Sequence, residues 1–169
     1  MVNSGASWQS LSLGTYEIMD RESKNPPLYL GTFPRSLDAK KRVAIPSAWV
    51  AGEGEEFHVV PHPGQGQLLV MGSEELSSYK KLFLDSQTLS PVEKRDAIRA
   101  FYGQAHTVTT DKQGRIVLPE KHCERAGLGS EVVFIGVESR FEIWAKDRHE
   151  ATAAASYATF QKAAEAVGL

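Results

Sequence analysis

The chain says one thing twice. Asp38-Ala39-Lys40-Lys41-Arg42-Val43-Ala44-Ile45-Pro46 is answered by Asp111-Lys112-Gln113-Gly114-Arg115-Ile116-Val117-Leu118-Pro119, with aspartate, arginine and proline each recurring 73 residues later. A repeat at one fixed offset implies two copies of a small fold unit, each with a charged turn in front of a short apolar strand. In 169 residues each copy is too small to hold a comfortable core alone, so one intertwined domain is expected rather than two beads.

Between and around the copies the pattern alternates strands and helices. Residues 1–27 are rich in Ser, Gly and Asn and read as a mobile extension, although Trp8, Leu11, Leu13, Tyr16, Ile18 and Met19 within it could dock on something. A first unit over 28–73 carries the strand Arg42–Ile45, with Val43 and Ile45 on one face, then a short helix from Ser47 to Ala51 that Gly52 ends. Phe57–Val60 and Leu68–Met71 are its further strands, joined by a Pro- and Gly-rich turn. A helical connector over 74–103 has an acidic first turn after Ser73, and Ser90-Pro91-Val92-Glu93 reads as a capping box with proline at the first helical position. The second unit, 104–147, repeats strand, turn, strand and helix, then adds strands Glu131–Val137 and Phe141–Ala145. A last helix, 148–169, spaces Ala153, Tyr157, Phe160, Ala164 and Val167 so that one face should pack and the other should be wet.

The charged turns are the candidate site. Lys40, Lys41 and Arg42 are opposed only by Asp38, a local excess of two positive charges; Lys112 and Arg115 stand against Asp111. Lysine and arginine projected from a rigid strand suit phosphate contact, and a strand-held arginine can reach a guanine edge through two hydrogen bonds. The aspartates are expected to fix the turns by accepting from backbone amides two or so residues on. A solvated hairpin tip would present the same residues, and a repeated fold repeats its structural residues too. The net charge of −2 does not advertise a nucleic-acid binder, so such an activity must come from local clustering and from multiple copies.

Other chemistry finds little support in the pattern. His58 and His62 are too loosely spaced for a metal site, and His122 with Cys123 is a neighbour pair whose side chains diverge on a helix. Gly64-Gln65-Gly66 lacks the third glycine of a nucleotide fingerprint, and no motif sets a nucleophile on a strained elbow. No enzyme, cofactor or small-molecule substrate is expected. One cysteine, no basic residue before Arg21 and no long apolar run point to a cytoplasmic protein without secretory signal or membrane span.

The string Gly31-Thr32-Phe33, Ser36 through Pro46, Asp111 through Pro119, Ile135-Gly136-Val137 and Arg140-Phe141-Glu142-Ile143-Trp144 closely resembles the bacterial MraZ family, from about residue 28 to about 150. That resemblance implies an α+β fold of two tandem SpoVT/AbrB-type swapped-hairpin units forming one pseudo-symmetric β-barrel with flanking helices. It implies a nucleoid-associated transcriptional regulator that assembles with itself into a ring. Its partner would be double-stranded DNA, at direct repeats upstream of the division and cell-wall gene cluster. The family's DNA-contacting signature, aspartate, a lysine two positions on, then glycine and arginine, maps onto Asp38, Lys40 and Arg42, and in slightly shifted form onto Asp111, Lys112, Gly114 and Arg115. The resemblance thus makes Lys40, Lys41, Arg42, Lys112 and Arg115 the DNA-binding candidates, with Asp38, Asp111 and Gly114 shaping the turns. Lys41 stands where the family has glycine, so the first turn either takes another geometry or accepts a strained φ. A protein-interaction module that only oligomerises is the alternative from another class.

Overall fold

The computed structural model describes residues 27–169. The extension expected over residues 1–27, with its docking candidates from Trp8 to Met19, lies outside them except for Pro27. Eight strands, β1 (Thr32–Ser36), β2 (Arg42–Ala44), β3 (Glu56–Pro61), β4 (Gln67–Met71), β5 (His106–Thr109), β6 (Arg115–Val117), β7 (Glu131–Val137) and β8 (Arg140–Ala145), combine with four helices. These are α1 (Ser73–Asp85), α2 (Pro91–Gln104), α3 (Glu120–Arg125) and α4 (Lys146–Val167), which makes the fold α+β. Among the described residues no helix is long and apolar enough to cross a membrane.

Local chemistry accounts for many boundaries. Ser90 caps α2 by accepting from the Glu93 amide while the Glu93 carboxylate accepts from the Ser90 amide, and Pro91 takes the first turn, where its missing N–H is no loss. The helix expected over Ser47–Ala51 is instead a single 3-10 turn, Ser47–Trp49, because Val50 returns to extended backbone at φ −119°. That short turn points Trp49 inward. Its indole meets Phe33 and Tyr29 edge-on at 5.1 and 5.7 Å and lies parallel to Phe134 at 6.4 Å. Buried rings of this kind contribute roughly 1.5–3 kcal/mol each through area removed from water.

The strands pair antiparallel in a six-stranded sheet of order β1-β7-β8-β4-β3-β5, with a separate ribbon of β2 and β6. Exchanging the first four strands for the last four turns that order into its own reverse. The ribbon obeys the same exchange: Arg42 faces Val117, Val43 faces Ile116 and Ala44 faces Arg115, so the 73-residue offset carries the ladder onto itself about the Val43–Ile116 pair. In the central ladder β4–β8 the pair on the axis is Leu69–Glu142. The sequence repeat is therefore a repeat of pairing, and each copy supplies strands that the other completes.

One core joins both copies, with Val43, Ile45, Leu68 and Val70 from the first against Ile116, Leu118, Phe141 and Ile143 from the second. Alternation sends Gln67, Leu69 and Met71 to the opposite face of β4, beside the helices. Gly136 allows a close crossing: a Cβ there would meet the Tyr29 carbonyl oxygen at 2.3 Å, and Tyr29 exchanges backbone hydrogen bonds with Glu138 in the β7–β8 turn.

The last helix departs from expectation. Only the start of α4 lies against β7 and β8, and from Glu150 onward every residue but Ala164 is exposed. Its stripe of Tyr157, Phe160 and Val167 packs on nothing among the described residues. Helical spacing identifies an apolar face but not what covers it.

Candidate nucleic-acid interface

Each copy places its turn immediately before its ribbon strand, and in each the aspartate organises the turn. Asp38 Oδ1 accepts from the backbone amides of Lys40 and Arg42 at 2.9 and 2.8 Å, and its Oδ2 accepts from Arg42 Nε at 2.7 Å. Asp111 does the same with the amides of Gln113 and Arg115, both at 2.9 Å, and with Arg115 Nε at 2.8 Å. The Lys41 amide donates to the Asp38 carbonyl and the Gly114 amide to the Asp111 carbonyl, each at 3.0 Å. The networks match position for position. What differs is the lysine, one residue after the aspartate in the second turn (Lys112) and two after it in the first (Lys40).

Lys41 takes the backbone conformation of its glycine counterpart, at φ 60° against 72° for Gly114. The first turn therefore keeps the shared geometry and accepts a Cβ in the left-handed region, at a cost of about 1–2 kcal/mol. Backbone and side-chain hydrogen bonds from Arg42 hold the Asp38 carboxyl below the usual carboxylate range. For Asp111 the backbone hydrogen bond from Arg115 is the largest cause of the same lowering. Both stay ionised at neutral pH and keep their arginines anchored.

Strand alternation then aims the cations. Val43 and Ile116 are 1 % and 0 % exposed on the core side of the ribbon, so Arg42, Ala44, Arg115 and Val117 share its outer side. Arg42 and Arg115 sit on diagonal positions of the ladder, with Cα atoms about 7–8 Å apart. Because Nε of each arginine is committed to its own aspartate, the terminal Nη nitrogens remain to donate outward; among the described residues they bond to nothing else. Lys40 and Lys112 are exposed beside them, and Lys41 is half-buried.

Arg35, which the sequence pattern does not mark, joins this surface. Its Nε donates to the Ala44 carbonyl at 3.2 Å and its Nη1 to the Pro34 carbonyl at 2.9 Å, while the guanidinium lies 5.5 Å over the Phe33 ring. It ties β1 to the ribbon on the side of the first turn. Its counterpart 73 residues on is Val108, so comparing the two copies gives no signal for it.

The remaining polar groups serve the fold. His58 bridges Thr107 and Ser73 through its two ring nitrogens, at 3.0 and 2.8 Å. Burial pushes the Cys123 thiol up, away from the reactive thiolate. His62 Nδ1 accepts from the amides of Gly64 and Gln65 and so structures its own turn.

Known proteins place this geometry in a family. Residues 101–169 match the family model described as "MraZ protein, putative antitoxin-like". The protein named transcriptional regulator MraZ of Acetivibrio thermocellus is 37% identical over 123 residues, which span 73% of this chain and 85% of that relative. The one of Ligilactobacillus salivarius is 36% identical over 141 residues, 82% of this chain and 95% of the relative. That of Desulforamulus reducens is 32% identical over 138 residues, 82% and 96% of the two. These names are those of regulators, not enzymes. With the doubled turn aligned in sequence and in hydrogen bonding, and with relatives matched over most of their own length, the chain belongs to the MraZ family.

Proposed function

We propose that this chain is a sequence-specific DNA-binding transcriptional regulator. It binds direct repeats upstream of the division and cell-wall gene cluster through cationic turns presented by a ring-shaped homo-oligomer, in the cytoplasm at the nucleoid. The observation that carries the reading is the pair Arg42 and Arg115, each anchored through Nε to an aspartate and both on the outer side of one two-stranded ribbon. A two-stranded ribbon fits the major groove of B-DNA. The arginine spacing of about 7–8 Å is close to two base steps of about 3.4 Å each. The guanidinia are the readers of base edges or phosphates, Lys40, Lys41 and Lys112 neutralise the flanking backbone, and Asp38, Asp111 and Gly114 shape the turns. The names of the relatives support the regulator class.

In this reading the units are residues 28–73 and 104–147, AbrB-type swapped hairpins closed into one pseudo-symmetric barrel. The exchange symmetry of the strand order and the ribbon shared between the copies support it. Residues 74–103 are the helical connector, 148–169 the C-terminal helix and 1–27 an extension.

Five cations neutralising five phosphates give a slope of log affinity against log salt of about −4 to −5 per chain, a hold of few contacts that physiological salt weakens readily. A ring meets regularly spaced repeats with several chains at once, and later contacts are intramolecular at effective concentrations on the order of millimolar. The test is a mobility shift with the DNA upstream of the chain's own gene, repeated at rising salt. Binding that requires the repeats and weakens with salt is expected; indifference to that DNA at low ionic strength would sink the reading. An oligomerising interaction module without specific DNA binding is the second reading, favoured by the exposed apolar stripe of α4, and it predicts no shift at any salt.

A further inference from the structure

Among the described residues two features of the outer surface are unfilled, and they match. The first is α4, whose stripe leaves Tyr157, Phe160 and Val167 at 62, 56 and 74 % exposed, with the Tyr157 and Phe160 rings 6.1 Å apart. The second is a groove of about 710 Å³ between α1 and the outer face of β4 and β8, lined by Gln67, Leu69, Tyr79, Leu82, Arg140 and Glu142 among others. Two of its polar atoms are buried without a partner among the described residues: Gln67 Oε1, on a residue 1 % exposed, and Arg140 Nε. Buried polar atoms in folded proteins are nearly always satisfied, so an acceptor and a donor left over in one groove point to an occupant that supplies one of each.

We infer that the groove receives the distal half of α4 from a second copy of this chain. The inference deepens the ring assembly of the proposed function and rests on that reading. Lengths agree: α1, the groove's wall, has 13 residues and is about 20 Å long, and the stripe from Ala153 to Val167 spans about 21 Å. Chemistry agrees as well. Tyr157 and Phe160 meet the Tyr79 and Leu82 side of the groove. Gln161, at the margin of the stripe, brings both a donor and an acceptor to the side of the groove that carries the Gln67 and Arg140 side chains.

The helix cannot serve its own groove. Arg148 Nη1 binds the Gln65 carbonyl at 3.1 Å and so fixes the root of α4 beside the sheet. From Lys146 the helix runs unbroken to Val167, which carries Tyr157 about 14 Å beyond Arg148. Helix on one copy and groove on the next make a head-to-tail contact, the type that closes into a ring. One junction of this size buries on the order of 1,000 Å² in total, the lower limit for a specific interface, and ring closure gives every subunit two.

The test is complementation in the full-length chain. Phe160→Asp removes the helix side and Leu82→Asp the groove side; both residues are more than half exposed, and circular dichroism checks that each variant is folded. Sedimentation velocity should show the unaltered chain as an oligomer, each variant alone as a monomer, and their equimolar mixture as a heterodimer, because one variant keeps the groove and the other the helix. No heterodimer on mixing, or a Leu82→Asp variant of unaltered size, overturns the inference, the second by pointing to contact between α4 helices.

A photo-crosslinking residue at position 157 in an otherwise unaltered chain gives a readout independent of both variants. In an isotopically mixed sample it should link to the α1 segment of another copy; links to another α4, or to residues 1–26, overturn the interface. The two proposals fail separately. An oligomer built on another surface that still shifts the repeats leaves the regulator and removes this junction. Complementation without any DNA shift keeps the junction and removes the regulator.

Discussion

The first and second turns share one hydrogen-bond diagram and differ in charge. Each aspartate accepts two backbone amides and one Nε, yet the first turn carries Lys40, Lys41 and Arg42 where the second carries Gln113, Gly114 and Arg115. The second takes the relaxed choice, a glycine at φ 72°. The first places a lysine in the same conformation and gains a cation for the strain. Geometry is thus set by the aspartate and the positive-φ residue, whereas charge is free to diverge between copies. Arg35 adds to the imbalance, since only the first copy has it. A surface built this way is more positive on one side of its symmetry axis.

The largest expected effect breaks the stronger side. Arg42→Ala should lower affinity for repeat DNA by at least about tenfold, since one bidentate base contact is worth about 1–3 kcal/mol, with the thermal midpoint nearly unchanged. Arg115→Ala should lower it only several-fold. Equal losses, measured by mobility shift at one salt concentration, would show that the charge difference between the turns is idle. A folded Arg42→Ala protein binding as before would remove that residue from the interface.

Exchanging the residues three positions after each aspartate sharpens the comparison. Lys41→Gly should stabilise the chain by about 1 kcal/mol in urea unfolding by relieving the left-handed Cβ, and should flatten the salt slope by about 0.9, the contribution expected of one phosphate contact. Gly114→Lys should do the reverse. A Cβ at Gly114 meets nothing within 4 Å, so its cost is in the backbone alone.

Arg35→Ala separates support from contact. Removing its hydrogen bonds to the Ala44 and Pro34 carbonyls should cost about 1 kcal/mol of stability. A few-fold loss of DNA affinity that Arg35→Lys restores in part would mark charge at this position as useful. Full loss in both variants would mark the guanidinium fork instead.

The smallest effect is that of pH, and it should be alike in the two turns. Asp38 and Asp111 have folded pKa values lowered from their ordinary ones, so their contribution to stability is complete above about pH 4 and is lost as pH falls through the lower folded values. Carboxyl carbon shifts followed by NMR should show both titrating below the ordinary range of an aspartate in a flexible peptide. Ordinary titration of either one would mean that its turn opens in solution.

Local rules were readable wherever the cause lay within a few residues. The capping box at Ser90, the strand alternation around Val43 and the doubled charged turn are all contacts across two to four positions, so the sequence alone determined them. It did not determine that β2 pairs with β6, more than 70 residues away, and that pairing is what puts Arg42 and Arg115 on one surface. Nor did it mark Arg35, whose partner Ala44 is brought near by the fold, or show that Trp49 closes the core from a single 3-10 turn. The stripe on α4 was legible as a stripe, but periodicity records only which side avoids water. What that side meets depends on where the root of the helix is tied, by Arg148 to Gln65, and only the tertiary structure decided that.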